Sequence, residues 1–241
     1  MALSGADKLS RIGRFYQTVS VEPRADGHAV LLDGRQAKTA AAKPLTAPTP
    51  ALAALWAAEW DAQVEFIEFS AMPANRLAFT AIDRVSETHA ALAAEVARYA
   101  ATDVICYPVE HPRALAARQA AAWGPWRTWA ADELGLEFHP AQGLLHHAQP
   151  AETLAGVERL ASELDGFTLT ALAFATALYG SAILALAVQR GALDAVAAFE
   201  LSRLEEAFQS EQWGQDPEAE ARTAALRLEA EMVGRWFAAL G

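Results

Sequence analysis

Six carboxylates concentrate in one short stretch near the end of this 241-residue chain. They are Glu205, Glu206, Glu211, Asp216, Glu218 and Glu220. Paired carboxylates can act as general acid and base where burial or mutual repulsion shifts their pKa values. An acid/base enzyme that uses the stretch from Glu205 to Glu220 is therefore one hypothesis. Most of these side chains are expected to be solvated, which favours a binding role instead.

The same stretch contains a signal for a sharp turn between two helices. Trp213 and Gly214 form a helix stop, and Asp216 followed by Pro217 is a typical pair for an N-cap and a first turn. One interpretation is a tight helix-to-helix turn, pinned by the indole and capped by the aspartate. The other is a recognition corner, in which aromatic and acidic side chains bind a partner protein.

The remaining reactive residue types predict little chemistry. His139, His146 and His147 lie in one loop-like segment, but two adjacent histidines do not converge easily on one metal ion. Cys106 is the only cysteine, and its apolar setting, VICYP, indicates a buried and inert thiol. The nucleotide-binding, hydrolase and zinc motifs GxxxxGK[ST], GxGxxG, GxSxG and HExxH are absent. We therefore expect no catalytic residue, no metal and no cofactor.

Charge is distributed unevenly along the chain. The formal net charge of −11 argues against nucleic-acid binding, because phosphate contacts require a basic face. Residues 1–45 contain seven Lys or Arg and four acids, whereas residues 191–241 contain four and ten. The acidic end suits an unassembled partner protein with exposed basic or apolar surface. The single cysteine and the absence of a secretory signal predict a cytoplasmic protein.

The longest uncharged segment, Phe167 to Gln189, has the length of a membrane-spanning helix. Its seven alanines and its dispersed Thr, Tyr and Ser residues give it a weak insertion signal. The segments on either side have the apolar spacing of amphipathic helices that could cover it. We therefore predict no membrane span. The segment is expected to be the central helix of a helical core, with Gly180 and Ser181 as a point of close packing.

Strand signals dominate the first forty residues. Residues 15–21 and 28–33 are rich in β-branched, aromatic and aliphatic residues, and a turn at Asp33 and Gly34 follows them. Short runs separated by such turns are typical of hairpins. The sequence predicts a small antiparallel meander.

A helix and one more strand are expected to complete the N-terminal domain. The helix is predicted over residues 50–63, where Trp56 and Trp60 share one face. The pattern VEFIEF at residues 64–69 predicts a further strand with a period of two. Together these signals predict an α+β domain over residues 1–73.

The chain beyond residue 73 is predicted to be mostly helical. Helices are expected at residues 74–85, 90–101, 112–134, 150–212 in several pieces, and 217–240. Pro125 predicts a kink or a break near Gly124. The predicted fold class is therefore α+β: a small N-terminal domain of antiparallel β-sheet and helix, followed by a larger all-helical domain over residues 74–241.

Motifs along nearly the whole chain carry a family resemblance. In the first half they are LDGR at 32–35, EWDAQ at 59–63, MP at 72–73 and TAID at 80–83. The most specific set lies in the acidic stretch and consists of Glu206, Gln209, Trp213, Gly214, Asp216, Glu218 and Ala219. These motifs resemble the assembly chaperones of the F-type ATP synthase that hold the free α subunit of the catalytic head. Departures from the family pattern are Ala74, Asn75, Pro108 and Gly124.

The resemblance implies a two-domain chaperone without catalysis or cofactor, whose partner is the unassembled α subunit. It implies that the chaperone prevents α-subunit aggregation until β subunits replace it. The residues expected to bind the partner are Glu206, Gln209, Trp213, Asp216 and Glu218. Trp56 and Trp60 are expected either to form a second contact surface or to brace the N-terminal domain. A client-free monomer is expected, cytoplasmic in bacteria and in the mitochondrial matrix in eukaryotic relatives.

Overall fold

The computed structural model describes residues 12–141, 148–214 and 216–241. The chain divides into two compact units. One comprises the chain up to Ser86 together with Ala238–Gly241, and the other is Glu87–Phe237. The first unit contains a small antiparallel sheet and the second is helical, so the predicted α+β fold class is confirmed.

The N-terminal unit contains a four-stranded sheet. Its strands are β1 (Val19–Arg24), β2 (Gly27–Leu32), β3 (Arg35–Gln36) and β4 (Thr46–Ala47). β2 pairs antiparallel with each of the other three strands, and its residues Ala29 to Leu32 are all buried. The turn before β2 requires Gly27, because an added Cβ would lie 2.4 Å from the carbonyl oxygen of Ala47. The predicted meander is therefore present, with β2 at its centre.

Helix α1 (Pro50–Asp61) packs on β1, β2 and β4. The hydroxyl of Thr49 accepts a hydrogen bond from the Leu52 N–H at 3.1 Å, as expected for an N-cap followed by proline. Leu52 and Ala53 are fully buried with the two tryptophans of the helix. This apolar face explains why α1 covers the sheet.

The side chain of Glu59 caps the N-terminus of helix α2 (Pro73–Asp83). The Glu59 carboxylate accepts hydrogen bonds from the backbone N–H groups of Ala74 and Asn75, each at 2.8 Å. A carboxylate at this position satisfies N–H groups that an α-helix leaves free at its N-terminus. Two of the sequence motifs therefore meet here and join α2 to α1. For this reason α2 lies in the N-terminal unit, although the sequence placed the division after residue 73.

The segment between α1 and α2 is not the predicted strand. Residues 64–69 form one isolated bridge, between Phe66 and Gly13, and then a 3-10 turn at Phe69–Ala71. The Gln63 side chain accepts a hydrogen bond from the Glu68 N–H at 2.8 Å, which curls the segment back. The strand prediction was wrong because the period of two breaks at the adjacent apolar residues Phe66 and Ile67, and only Ile67 of this segment is buried.

The second unit consists of helices. They are α3 (Val85–Ala100), which begins at the end of the first unit, then α4 (Arg113–Leu134), α5 (Ala151–Ser162), α6 (Gly166–Tyr179), α7 (Ala182–Gln189), α8 (Ala195–Ser202), α9 (Leu204–Trp213) and α10 (Pro217–Leu240). A 3-10 turn, Val104–Cys106, lies between α3 and α4. Every residue of α7 from Ala182 to Val188 is buried, and α7 contacts α4, α6 and α8. Helix α7 is therefore the centre of this unit.

The long uncharged segment forms two helices, and the prediction of a single one was wrong. α6 ends at Gly180, whose φ of 61° is left-handed, and α7 begins at Ser181, whose hydroxyl accepts the Leu184 N–H at 3.0 Å. Gly180 thus ends a helix, and an added Cβ would lie 3.9 Å from Val104. It is not a point of unusually close packing. Among the described residues, no helix has both the length and the apolar character needed to cross a bilayer.

A buried carboxylate holds the break between α6 and α7. The Asp103 side chain is fully buried and accepts hydrogen bonds from the N–H groups of Ile183 at 3.0 Å and Ile105 at 3.2 Å. Burial raises its pKa to about 6, and the hydrogen bonds from Ser181 and the neighbouring backbone oppose that shift. Asp103 therefore connects the 3-10 turn to the N-terminus of α7.

Helix α4 continues through Pro125, so the predicted helix break near Gly124 does not occur. Proline removes one helical N–H and leaves the carbonyl of Ala121 without that donor. Both Pro125 and Ala121 are exposed, so water can satisfy this carbonyl. Exposure makes the proline tolerable here.

Candidate functional site

The acidic stretch forms α9 and the start of α10. Glu206, Gln209 and Trp213 are spaced by three and four residues, which places them along one side of α9. Leu204 is buried and attaches the helix to the core, whereas Glu206, Gln209 and Trp213 are exposed. We call this exposed side of α9 the acidic face.

An open groove of about 360 Å³ runs beside the acidic face. It is lined by Val104, Tyr107, Trp123, Ser202, Glu205, Glu206 and Gln209. The Trp123 indole N–H donates to the Leu201 carbonyl at 2.9 Å, which fixes the groove wall contributed by α4 to the end of α8. The groove therefore combines aromatic walls with an acidic rim.

Ion pairs and hydrogen bonds hold the carboxylates of α9 in place. Nη1 of Arg118 on α4 donates to both carboxylate oxygens of Glu211 at 2.8 Å. Arg203 lies 3.5 Å from Glu206, and the Gln209 side chain donates to Glu205 at 3.2 Å. Because these pairs are exposed, each contributes little to stability, but together they order the acidic face.

The corner after α9 has the predicted caps, but the indole does not pin it. Gly214 takes a φ of 89°, and the Asp216 carboxylate accepts the Glu218 N–H at 3.1 Å. The Trp213 side chain is 81% exposed. An indole this exposed is not packed against the turn, so the predicted pinning role was wrong.

The first turns of α10 extend the exposed surface. No residue from Pro217 to Glu229 is buried, and burial begins at Ala230. Leu228 is 59% exposed on this part of the helix. Arg227 pairs with Glu200 and Glu231, each at 3.2 Å, and so links α10 to α8. The exposed surface of this unit thus includes two large apolar side chains, Trp213 and Leu228.

Five predicted partner-binding residues lie on or next to this corner, with different roles. Glu206 and Gln209 line the groove, and Trp213 lies on the same side of α9, about 10 Å further along the helix than Glu206. Asp216 uses its carboxylate as a cap, and Glu218 is exposed in the first turn of α10. The structure thus brings Glu206 and Gln209 together, and leaves the other three further along the chain.

Trp56 and Trp60 lie in the interior of the N-terminal unit, 0% and 4% exposed. The Trp60 indole donates to Oδ1 of Asn75 at 2.8 Å, and the Asn75 amide donates to the Trp56 carbonyl at 3.0 Å. Burial and hydrogen bonds of this kind brace the N-terminal unit, which is one of the two roles considered from the sequence for both tryptophans. Trp60 also lines an open cleft of this unit.

Five residues that line the groove were not among the expected site residues: Val104, Tyr107, Trp123, Ser202 and Glu205. Helical spacing could have suggested Glu205, which lies four residues before Gln209. Tyr107 lies almost one hundred residues upstream, in the segment that follows the 3-10 turn, and no local pattern links it to α9. Its place in the groove depends on tertiary packing alone.

The geometry offers little for acid/base or metal chemistry. Glu206 and Glu211 have side chains 53% exposed, and the adjoining groove is open to solvent. Burial raises the pKa of the Cys106 thiol, which favours its unreactive protonated form. In the part of the chain that the structure describes, no group of three or more His, Cys, Asp or Glu could hold a metal ion. His146 and His147 lie outside the described residues.

Comparison with known proteins assigns the family. The family model of the ATP12 chaperone protein matches residues 13–131. The crystal structure of Atp12 from Paracoccus denitrificans superimposes with a TM-score of 0.88 at 40% sequence identity, over 94% of this chain and 97% of that one. Atu1473 from Agrobacterium tumefaciens gives 0.90 at 38% identity, over 95% and 86% of the two chains.

A eukaryotic relative shows weaker similarity over most of its length. The mitochondrial protein atp12 of Schizosaccharomyces pombe is 25% identical over 213 residues, which are 83% of this chain and 73% of that protein. The bacterial matches combine high identity with nearly complete coverage, and the family model matches independently. The chain therefore belongs to the ATP12 chaperone family, the ATP synthase assembly chaperones that its motifs resemble.

Proposed function

We propose that this protein binds the unassembled α subunit of the F-type ATP synthase through the acidic face of α9. In this role it prevents aggregation of the α subunit until β subunits replace it. The observation that carries the proposal is Trp213, 81% exposed at the end of an acidic helix, in a chain of the ATP12 chaperone family. An exposed tryptophan of this kind is a typical anchor in protein interfaces.

The physical requirements of the task fit this surface. A subunit removed from a ring exposes apolar interfaces and aggregates, so a chaperone must cover them and still release them. A few anchors surrounded by polar side chains give such reversible binding. Trp213 and Leu228 supply the apolar contacts, and Glu205, Glu206 and Glu218 supply the acidic surroundings.

The charge of the protein supports a basic or mixed client surface. The net charge of −11, concentrated toward the C-terminal end, attracts basic surface over distances of about 10 Å at moderate salt. Because Arg118 already holds Glu211, and Gln209 holds Glu205, little ordering of α9 is required on binding. The protein acts as a binding module without catalysis or cofactor, as a monomer when client-free, and in the bacterial cytoplasm.

Co-expression with free α subunit and with free β subunit tests the proposal. The purified protein should retain α and not β, because the proposal assigns the acidic face to the α subunit alone. Retention of β alone, or of neither subunit when unassembled α is present, would contradict the proposed function.

A charge-reversal variant tests the acidic face itself. Glu206→Lys should fold normally but lose about tenfold in α-subunit affinity at low salt, and the loss should shrink as salt rises. Glu163→Lys is a matched control. Glu163 caps the end of α5, and like Glu206 it is exposed and paired with an arginine, Arg159. Equal losses in both variants would show that only net charge matters and would remove Glu206 from the site.

A further inference from the structure

The N-terminal unit exposes most of the large apolar side chains that the structure shows at the surface. In the described residues six such side chains are exposed, and four belong to this unit: Ile12, Phe15, Val64 and Phe69. Phe15 is 69% exposed and Val64 is 86% exposed. Exposed apolar side chains that cluster mark interaction surfaces more often than those scattered singly.

Two of these side chains lie on segments that are joined to each other. The bridge between Gly13 and Phe66 is antiparallel, and the Ile67 N–H donates to the Ile12 carbonyl at 2.8 Å. Phe15 follows the first segment and Val64 precedes the second, and these are the two most exposed of the four side chains.

Phe15 also borders an open cleft of about 590 Å³. Tyr16, Leu32, Ala37 and Trp60 form its apolar lining. The Tyr16 hydroxyl donates to the Trp60 carbonyl at 2.7 Å, and the two rings pack edge to face with centroids 5.8 Å apart. These contacts fix the lining before any ligand arrives, which lowers the ordering cost of binding.

The rim of this cleft is cationic. Arg35 and Lys38 line it, both exposed, and neither forms an ion pair with any residue that the structure describes. The one acid of the lining, Asp33, accepts the backbone N–H groups of Gln17 at 3.0 Å and Thr18 at 2.8 Å, which lower its pKa. The charge of Asp33 is thus engaged by backbone, and the two cations are left for a ligand.

We propose that this cleft is a second docking site for the client and that it takes an apolar side chain flanked by a carboxylate, in an acidic segment of the α subunit. Charge complementarity selects this occupant, because a cationic rim around an apolar lining favours an apolar anion. The inference rests on the proposed function. It adds that the chaperone binds segments of opposite charge through its two units, which discriminates against clients that carry only one of them.

A small probe tests the chemistry of the cleft without the client. Anilinonaphthalene sulfonate is an aromatic anion that fluoresces when it enters an apolar site. The double variant Arg35→Glu/Lys38→Glu should weaken its binding about tenfold or more, because both rim charges are reversed. Arg24→Glu is the control, an exposed arginine of β1 in the same unit that does not line the cleft. Unchanged binding in the double variant, or an equal loss in the control, would overturn the proposal.

Two other occupants are distinguished by probe binding and by sedimentation. Stronger probe binding after deletion of residues 1–11 would assign the cleft to the chain's own N-terminal segment. Self-association that Phe15→Ala abolishes, measured by sedimentation, would assign it to a second copy. Either result would overturn the proposal, and unchanged probe binding with a monomeric protein supports it.

Capture of the α subunit then separates this inference from the proposed function. If the wild-type protein retains α, the Arg35/Lys38 double variant should retain about tenfold less, and Arg24→Glu should retain the normal amount. Normal retention by the double variant would overturn the second docking site and leave the proposed function standing. If the wild-type protein retains no α, the proposed function fails, and the client assigned to the cleft fails with it.

Discussion

The buried carboxylate of Asp103 should make the stability of the helical unit fall as pH rises. Its pKa rises from 3.8 to about 6 on folding, because burial disfavours the charged form. Between these two values the folded state holds a proton that the unfolded state has released. Stability contributed by this proton is fully present below about pH 4 and is lost as the pH rises through about 6.

The magnitude follows from the size of the shift. About 2 pKa units at about 1.4 kcal/mol per unit give a loss of about 3 kcal/mol in the free energy of unfolding. Other groups also titrate in this range, so the contribution of Asp103 must be isolated by a variant. Asp103→Asn keeps the shape of the side chain and cannot ionise.

The assay is urea denaturation of both proteins at several values between pH 4 and pH 7, followed by circular dichroism. Urea is preferable to heating because the chain has a pI near 5.0, where heated protein aggregates readily. The stability of wild type relative to Asp103→Asn should fall by about 3 kcal/mol from the lowest to the highest pH.

The test uses this change with pH and not the absolute difference. The Asn amide cannot accept both the Ile183 and the Ile105 N–H groups on separate oxygens, so the variant is also destabilised at every pH. A difference between the two proteins that stays constant across the range would refute the reasoning, because Asp103 would then titrate alike in both states.

Three further predictions concern other positions. Trp60→Arg should destabilise the N-terminal unit by about 4 kcal/mol or more, since it removes a buried indole and its hydrogen bond to Asn75, and a normal melting temperature would contradict the bracing role. Gly180→Ala should cost about 1 kcal/mol because its φ of 61° is left-handed, whereas Gly124→Ala, inside α4 with open space around it, should stabilise by up to about 1 kcal/mol in the same urea assay. Trp213→Ala should change stability by less than about 0.5 kcal/mol, since the side chain is 81% exposed, yet it should weaken α-subunit capture, and unchanged capture would exclude Trp213 as an anchor.

Local signals in the sequence determined much of the architecture. Thr49 with Pro50, and Asp216 with Pro217, marked helix starts that the structure contains, because an N-cap and its first turn need only neighbouring residues. Strand signals near the N-terminus followed by helical signals were enough for the α+β fold class. The motifs identified the family, because a resemblance in sequence can be recognised without knowing which residues are in contact in the fold.

Tertiary structure alone decided which of these residues are available to a partner. Trp60 and Trp213 are both tryptophans beside acids in the sequence, yet one is buried against Asn75 and the other is exposed. Periodicity could not show that residues 64–69 curl or that Gly180 divides a helix. The curl involves a hydrogen bond from the Glu68 N–H to the Gln63 side chain, and the divided helix involves Asp103, 80 residues before Ile183, whose N–H it accepts. Tyr107 meets α9 in the groove, although the sequence between them spans most of the helical unit. Exposure and contact arise from long-range packing, which a local pattern does not encode.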